Sequence, residues 1–353
     1  MKILQVMAGA KFGGAETAFV DMCMAMAEAG HDVKAITRKN DIRVSRLRDA
    51  GIEVYTLPFG GVLDIYTPFM MSRIIKDFKP DIVQTWMSRA SQKIPHYTEK
   101  KGKKPYLVVS RLGGYYKLKN YKNTDYFATI TPDIKHYLED QGVDPDKIKH
   151  INNFAETEDI EKPVNRADYD ILEDAPLFLA LGRLHTSKAF DTLIKAAKEV
   201  PESHIWIAGE GPDHQELQEL INSLGVQDRV KLLGWRCDRA ALFQAADFCI
   251  FPSRYEPFGT VFVQAWANKT PLITTDSDGP KQFVRHEEDG LITPIDDVSA
   301  MAASMTRMIE NPDLAKKCVR NGYQRYLNEF TKDAIVSAYL DYFTTILKEY
   351  KAA

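Results

Sequence analysis

The order of hydrophobic segments constrains the fold of this sequence more than any other feature. Short apolar runs bounded by turn residues alternate with longer segments whose apolar residues recur at helical spacing. This alternation is typical of α/β proteins with parallel sheets. The predicted strands are Ile3–Met7, Asp32–Thr37, Ile52–Leu57, Ile82–Thr85, Leu107–Ser110 and Phe127–Thr131 in the first half, and Leu177–Leu181, His204–Ala208, Val230–Leu233, Phe248–Pro252, Leu272–Thr275 and Gly290–Thr293 in the second. We therefore expect two doubly wound, Rossmann-like α/β domains.

The boundary between these domains is predicted near residue 155. The segment Ala155–Ala175 contains eight Asp or Glu residues and few apolar ones, as expected of a surface linker. Residues 1–155 are therefore assigned to the first domain and residues 156–330 to the second. The tail, 331–353, has apolar residues at helical spacing, which predicts a helix that buries one face on a domain that the spacing does not identify.

Composition excludes several functional classes. The 353 residues include 46 Lys or Arg and 49 Asp or Glu, for a formal net charge of −3, so no global charge attracts nucleic acid. The four cysteines are scattered, which predicts neither a disulfide framework nor a zinc site. No run reaches the roughly 18 apolar residues of a membrane-spanning helix, and the first residues lack the features of a signal peptide. A cytoplasmic protein is expected.

Two strand-to-helix loops carry residues suited to an anionic ligand, and doubly wound sheets bind ligands at the carboxyl ends of their strands. In the first loop, Gly13 and Gly14 allow the backbone to approach a ligand closely, and Glu16 falls in the first turn of the following helix. In the second, Arg183 and Lys188 can neutralise a diphosphate. The alternative interpretations are a tight turn and a solvated basic loop.

A third loop, from Pro252 to Ala267, is the most informative. Glu256 stands before Pro-Phe-Gly, and Gly259 and Thr260 open a helix that is almost wholly apolar. A carboxylate and free backbone donors therefore converge on one point. That point can hold a sugar phosphate.

The motifs in these loops resemble those of the retaining glycosyltransferases of family 4, which have the GT-B fold. The resemblance covers nearly the whole chain and rests on Gly13–Glu16, Gly182–Leu184 with Lys188, Ala208–Pro212, Asp228–Val230 with Leu233–Trp235, and Ser253–Ala267. Within that family, Gln84–Ala90 and Arg111–Lys119 resemble the lipopolysaccharide-core sugar transferases of Gram-negative bacteria. The resemblance implies that the two domains face a cleft, with a nucleotide-sugar donor on the second domain and an acceptor on the first. It also implies that the C-terminal helix packs on the first domain.

The same resemblance implies roles for individual residues. Arg183 and Lys188 hold the diphosphate, Glu256 holds sugar hydroxyls, and these three are the expected catalytic residues. The implied donor-binding residues are Gly13, Gly14, Glu16, Arg183, Lys188, Phe258, Gly259, Thr260 and Gln264. Gln264 departs from the family, which commonly has a Glu there to bind the ribose hydroxyls, because an amide lacks the charge assistance of a carboxylate. The His that many members carry after the fifth strand is also absent from Val109–Gly113.

The implied reaction is transfer of a hexose, with retention of configuration, from a nucleotide-diphosphate sugar to a lipopolysaccharide-core or other glycan acceptor. Fixed cations stabilise the charge that develops on the departing diphosphate, and a phosphate oxygen accepts the proton of the acceptor hydroxyl. No cofactor or metal is expected, since Asp276 and Asp278 are interpreted as part of a turn. Two alternatives stay open: a GT-B protein that binds nucleotide sugars with little catalysis, and a nucleotide-sugar epimerase.

The segment from Arg89 to Asn123 is strongly basic, with ten Lys or Arg against Glu99 alone, or +9. Tyrosines are interleaved with these cations, which favours contact with anionic lipid or a phosphorylated glycolipid at the cytoplasmic face of the inner membrane. A face that merely keeps the protein soluble is the alternative. The candidate acceptor or membrane residues are Arg89, Lys100, Lys101, Lys103, Lys104, Arg111, Lys117 and Lys119.

Overall fold

The computed structural model describes residues 1–10, 13–61, 63–97, 102–157 and 159–352. The chain divides into two compact units. The first unit comprises Met1–Phe154 with Lys332–Ala353, and the second comprises Ala155–Thr331. No helix in the described part of the chain is both long enough and apolar enough to cross a membrane.

The described part of the first unit contains a seven-stranded parallel sheet with strand order β3-β2-β1-β4-β5-β6-β7. Its strands are β1 (Lys2–Met7), β2 (Asp32–Thr37), β3 (Glu53–Thr56), β4 (Ile82–Trp86), β5 (Leu107–Leu112), β6 (Tyr126–Thr129) and β7 (Ile148–His150). The helices are α1 (Gly14–Glu28), α2 (Asp41–Asp49), α3 (Tyr66–Phe78), α4 (Met87–Gln92) and α5 (Pro132–Asp140). The central strands are buried on both faces, which explains their nearly continuous apolar sequences.

The second unit contains, among its described residues, a six-stranded parallel sheet with strand order β10-β9-β8-β11-β12-β13. Its strands are β8 (Leu177–Leu181), β9 (His204–Ala208), β10 (Val230–Gly234), β11 (Phe248–Phe251), β12 (Leu272–Thr275) and β13 (Leu291–Thr293). The helices are α6 (Phe190–Glu199), α7 (His214–Leu224), α8 (Arg239–Ala245), α9 (Thr260–Ala267), α10 (Pro280–Phe283), α11 (Val298–Glu310) and α12 (Pro312–Glu329). The prediction of an α/β protein with two doubly wound sheets is confirmed.

The C-terminal helix, α13 (Lys332–Ala352), packs in the core of the first unit. It buries an apolar face formed by Ile335, Val336, Tyr339, Tyr342, Phe343 and Ile346. The Tyr342 hydroxyl donates a hydrogen bond of 3.1 Å to the backbone oxygen of Phe127. Lys332 at the start of the helix forms an ion pair of 2.9 Å with Glu28. The last helix therefore belongs structurally to the first unit, although the chain reaches it from the second.

The strand order places the loops that can carry a ligand site. In an open parallel sheet, ligands bind beyond the carboxyl ends of the strands where the strand order reverses. In the second unit this reversal lies between β8 and β11. The two strands are neighbours in the sheet, although 66 residues lie between the end of β8 and the start of β11. The loops that follow these two strands therefore emerge side by side.

Candidate active site

Lys188 and Glu256 meet at the strand-order reversal of the second unit. Lys188 lies in the loop after β8, Glu256 lies in the loop after β11, and Nζ of Lys188 forms an ion pair with Oε2 of Glu256. Both side chains are about four fifths buried, at 21% and 17% exposure. The ammonium also lies 5.6 Å from the centre of the Phe251 ring. The structure thus brings together two of the three residues that the sequence predicts to be catalytic.

Arg254 fastens the two loops to each other. Its backbone N–H donates to the Ser187 oxygen at 2.9 Å, and its guanidinium donates to the Thr186 oxygen at 2.6 Å. The guanidinium also forms ion pairs with Asp191 at 2.8 Å and Asp296 at 2.6 Å. Burial raises the pKa of Asp191, but hydrogen bonding and the charge of Arg254 outweigh burial and hold this pKa below its usual value. Arg254 therefore holds the loop that carries Lys188 against the loop that carries Glu256.

Sequence reasoning missed the role of Arg254. The residue stands two positions before Glu256, and Asp191 stands three positions after Lys188. An Arg and an Asp near the two predicted site residues were the available signal. The pairing itself depends on the adjacency of β8 and β11, which a single sequence does not display.

Arg183 lies between two residues that are packed tightly against the loop after β9. The Gly182 N–H donates to the Ala208 oxygen at 3.1 Å, and the Leu184 N–H donates to the Glu210 oxygen at 3.0 Å. Between these anchors, the Arg183 side chain is exposed and has no hydrogen bond or ion pair with any residue in the described ranges. A guanidinium held at its base and unpaired at its tip can bind a phosphate in a bidentate manner.

The start of α9 places backbone donors next to Glu256. Gly259 adopts the left-handed region with φ of +90°, and a Cβ at this position would lie within 3.0 Å of the Phe251 ring. The first N–H groups of a helix lack partners one turn earlier. In α9 the Phe262 N–H donates to the Gly259 oxygen at 3.1 Å, which leaves the N–H groups of Thr260 and Val261 to bind an oxygen ligand. Phe258 is buried among aromatic rings, including Phe262, and so contributes only its backbone to a ligand site.

Gln264 lies on α9 one turn after Thr260, and its side chain is half-buried. Because residues at positions i and i+4 share a helix face, its side chain follows that of Thr260. The side-chain amide has no hydrogen-bond partner among the residues that the structure describes. This position suits a hydrogen bond to a ligand hydroxyl, the role in ribose binding that the family resemblance implies.

Gly13, Gly14 and Glu16 belong to the first unit, whereas the other predicted donor-binding residues belong to the second. The Glu16 side chain is buried and accepts a hydrogen bond of 2.6 Å from the Ala10 N–H. Arg43 donates to the Ala10 oxygen from the other side of the loop. Glu16 therefore fixes the shape of its own loop and leaves Gly13 and Gly14 exposed at the start of α1.

The basic residues between Arg89 and Asn123 do not form one continuous surface in the described part of the chain. Lys103 and Lys104 precede β5, whereas the segment Lys117–Lys119 and α4, which carries Arg89, follow the carboxyl ends of β5 and β4. Lys104 is paired with Asp125 at 2.6 Å. The predicted membrane residues Lys100 and Lys101 lie outside the described residues. The expected single basic field is therefore divided between two ends of the sheet.

The prediction that Arg111 contacts a membrane is wrong. Arg111 lies on β5, an interior strand of the sheet, and is only 2% exposed. Its guanidinium lies 4.1 Å from the centre of the Trp86 ring and donates to Asn153, and burial lowers its pKa. Tyr106 and Tyr121 are buried as well, so their rings are not available to a lipid interface.

No group of three or more His, Cys, Asp or Glu side chains is placed to hold a metal ion among the described residues. Asp276 accepts from the Ile295 N–H at 3.0 Å, and Asp278 pairs with Lys281 at 2.8 Å. The two carboxylates therefore take part in separate local contacts.

Comparisons with known proteins agree with the fold. The family model described as glycosyl transferases group 1 matches residues 161–325, and the model described as Glycosyltransferase Family 4 matches residues 12–159. The chain is 32% identical to the lipopolysaccharide core biosynthesis glycosyltransferase LpsE of Rhizobium meliloti, over 94% of this chain and 95% of that protein.

Two solved structures have the same fold. A glycosyltransferase from Rickettsia africae superposes with a TM-score of 0.86 at 21% identity, over 98% of both chains. Anabaena HepE in complex with UDP-glucose superposes with a TM-score of 0.80 at 18% identity, over 98% of this chain and all of that one. The protein is therefore a glycosyltransferase with the GT-B fold. It belongs to glycosyltransferase family 4.

Proposed function

We propose that this glycosyltransferase moves a hexose, with retention of configuration and without a metal ion, from a nucleotide-diphosphate sugar to a lipopolysaccharide-core or related glycan acceptor. The observation that carries the proposal is the meeting of Lys188 and Glu256 at the strand-order reversal, with Arg183 in the same loop free of any partner among the described residues. The name of LpsE supports the acceptor class, and the UDP-glucose bound to HepE supports the donor class.

The roles of these side chains follow from charge. The bond from the sugar to the diphosphate breaks, the departing phosphate gains negative charge, and cations fixed beside it stabilise the transition state more than the bound donor. Arg183 and Lys188 supply two positive charges for this purpose. Glu256 accepts hydrogen bonds from sugar hydroxyls once a donor draws the Lys188 ammonium towards its phosphates. The acceptor hydroxyl forms the new bond to the sugar and gives its proton to a phosphate oxygen.

A panel of UDP-, GDP- and ADP-sugars tests the donor class. A ligand that binds only the folded state raises the melting temperature, and at 100 times its dissociation constant it adds about 2.7 kcal/mol of stability. We expect one nucleotide to give a clear shift and the Arg183→Ala variant to lose most of it.

Product analysis with the nucleotide sugar that binds tests the reaction. Transfer in the presence of EDTA, with the anomeric configuration of the donor kept in the product, is the expected result. Inversion, or loss of transfer with the chelator, would contradict the proposed mechanism. Donor binding without transfer or hydrolysis would favour a binding protein, and isomerisation of the donor sugar would favour an epimerase.

Gln264→Glu tests the proposed ribose contact. A carboxylate at this position accepts charge-assisted hydrogen bonds, which are worth roughly 1 kcal/mol more than those of a neutral amide. We expect the variant to bind the donor about fivefold more tightly, measured by calorimetry. Gln244→Glu is the matched control and should leave affinity unchanged, because Gln244 is exposed in the last turn of α8, which leads into the amino end of β11. Equal affinity in the parent and the Gln264 variant would remove Gln264 from the donor site.

A further inference from the structure

Four large apolar side chains are exposed at one end of the first unit. Leu63 is 93% exposed, Ile65 83%, Phe69 59% and Tyr66 54%. They lie in the loop that follows β3 and in the first turn of α3, within seven residues of sequence. We call these four residues the apolar tip. A side chain at 93% exposure projects from the surface, whereas residues that line a small-molecule pocket are largely shielded.

The apolar tip is held by a buried polar network behind it. The Asp64 carboxylate accepts hydrogen bonds from the Gly60 N–H at 2.7 Å, the Thr67 N–H at 2.9 Å and the Thr67 hydroxyl at 2.6 Å. Lys93 donates to the backbone oxygens of Gly61 and Asp64, each at 2.8 Å. Burial raises the pKa of Asp64, but these hydrogen bonds and the Lys93 charge together lower it to about 2. The exposure of the neighbouring apolar side chains is thus fixed by the fold.

Exposed cations stand behind the apolar tip along α3. Phe69, Arg73 and Lys76 are spaced by four and three residues and so share one helix face, and both cations are exposed. At about 1.5 Å per residue, Arg73 lies roughly 6 Å and Lys76 roughly 10 Å along the axis from Phe69. The headgroup layer on each side of a bilayer is about 5–8 Å thick. With α3 directed along the bilayer normal, rings at the acyl boundary would therefore place these cations at the level of lipid phosphates.

The charge around the apolar tip fits an anionic lipid surface. Between residues 58 and 79 the exposed charges are Arg73, Lys76 and Lys79 against Asp77, for a net +2, while the Asp64 carboxylate is turned inward. A large exposed apolar group commonly marks an interaction surface, and cations beside it select an anionic partner. An exposed apolar end with basic residues one to two helical turns behind it therefore matches a bilayer in depth as well as in charge.

We propose that the apolar tip inserts into the surface of an anionic lipid bilayer while Arg73 and Lys76 bind lipid phosphates. The inference rests on the proposed function in one respect: an enzyme with a lipid-linked acceptor must reach a membrane, which gives membrane binding a biological purpose. Binding to vesicles is measured without nucleotide sugar or acceptor, so the inference and the proposed function can fail separately. Lys93, which supports the apolar tip from behind, is buried, so none of the exposed basic residues between Arg89 and Asn123 forms part of this surface.

Sedimentation of the full chain with phosphatidylcholine vesicles, with and without phosphatidylglycerol, tests this proposal. The double variant Leu63→Ser/Ile65→Ser should lower the partition coefficient at least about tenfold, because two inserted side chains lose most of their apolar area. The matched control is Leu172→Ser/Ile160→Ser, which changes exposed apolar residues of the second unit. The control should bind as the parent does, and both variants should melt within about 2 °C of the parent because the sites are exposed.

A second pair of variants tests the charge. Arg73→Glu/Lys76→Glu should remove the preference for phosphatidylglycerol, whereas Lys316→Glu/Lys317→Glu, an exposed pair on α12, should keep it. A fluorophore on Leu63→Cys in a Cys237→Ser background should shift to the blue on anionic vesicles, since the other three cysteines are buried.

Four results would overturn the inference. The parent could fail to sediment with anionic vesicles, or the Leu63→Ser/Ile65→Ser variant could bind as tightly as the parent. Lys117→Glu/Lys119→Glu could abolish vesicle binding while the Leu63→Ser/Ile65→Ser variant retains it, which would show that the basic stretch, and not the apolar tip, contacts the membrane. The parent could be a dimer that the apolar variant dissociates without any change in vesicle binding, which would make the tip a contact between two copies of the chain.

Discussion

Lys188→Ala is expected to lower kcat for sugar transfer by about 10²- to 10³-fold, the usual effect of removing one fixed group that stabilises transition-state charge. The physical reason is that Lys188 is about four fifths buried, so water cannot replace its charge beside the departing diphosphate. Steady-state transfer at saturating donor measures the effect. Lys198→Ala is the matched control, since Lys198 is exposed on α6 and has no part in the proposed site.

Glu256→Ala should give a similar loss of transfer, and the two residues should be coupled in stability. Removal of one partner leaves the other charge partly buried and unpaired, which we expect to cost about 1–2 kcal/mol of unfolding free energy. The double variant Lys188→Ala/Glu256→Ala should regain most of this stability and remain inactive. A double-mutant cycle by urea unfolding, run beside the transfer assay, separates the two effects. Parent-like turnover in either single variant would remove that residue from the catalytic site.

The sequence predicts the fold well because the apolar pattern follows directly from which strands and helix faces the fold buries. In parallel sheets covered by helices, strands such as β8 and β12 are buried on both faces, so they form continuous apolar runs between turn residues. Two elements of the first unit that the sequence did not predict are short. β7 has three residues with one of them buried, and α4 has six residues, too few for a helical period to be recognised.

The candidate site is predictable only in part, because sequence motifs identify loops but not the contacts between loops. Lys188 and Glu256 were identified from their loops, whereas the fastening of both loops by Arg254 depends on long-range adjacency. Arg111 was misassigned because the charge of a residue does not reveal that it lies on an interior strand. Leu63 and Ile65 were overlooked for the converse reason, since exposed and buried apolar residues are identical in a sequence.

The second large effect is expected at the glycines beside Arg183. A Cβ on Gly209 would lie within 3.0 Å of the Gly182 carbonyl, and a Cβ on Gly211 would lie within 3.0 Å of the Leu184 backbone. These contacts are between backbone segments, so no side-chain rotation relieves them. Gly209 also has a φ of +154°, a backbone conformation that residues other than glycine rarely adopt. Gly209→Ala should therefore lower the free energy of unfolding by about 3 kcal/mol or more.

Urea unfolding measures this loss, and Gly61→Ala is the matched control because a Cβ there meets no atom within 4 Å. The same variants test how Arg183 is positioned, since the segment Gly182–Leu184 and the loop after β9 must move apart to relieve the clash. That movement would carry the guanidinium with it. Any Gly211→Ala protein that folds should thus lose most of the donor-induced rise in melting temperature. Stability within about 0.5 kcal/mol of the parent, the range of ordinary surface substitutions, would show that the two loops are not packed as described.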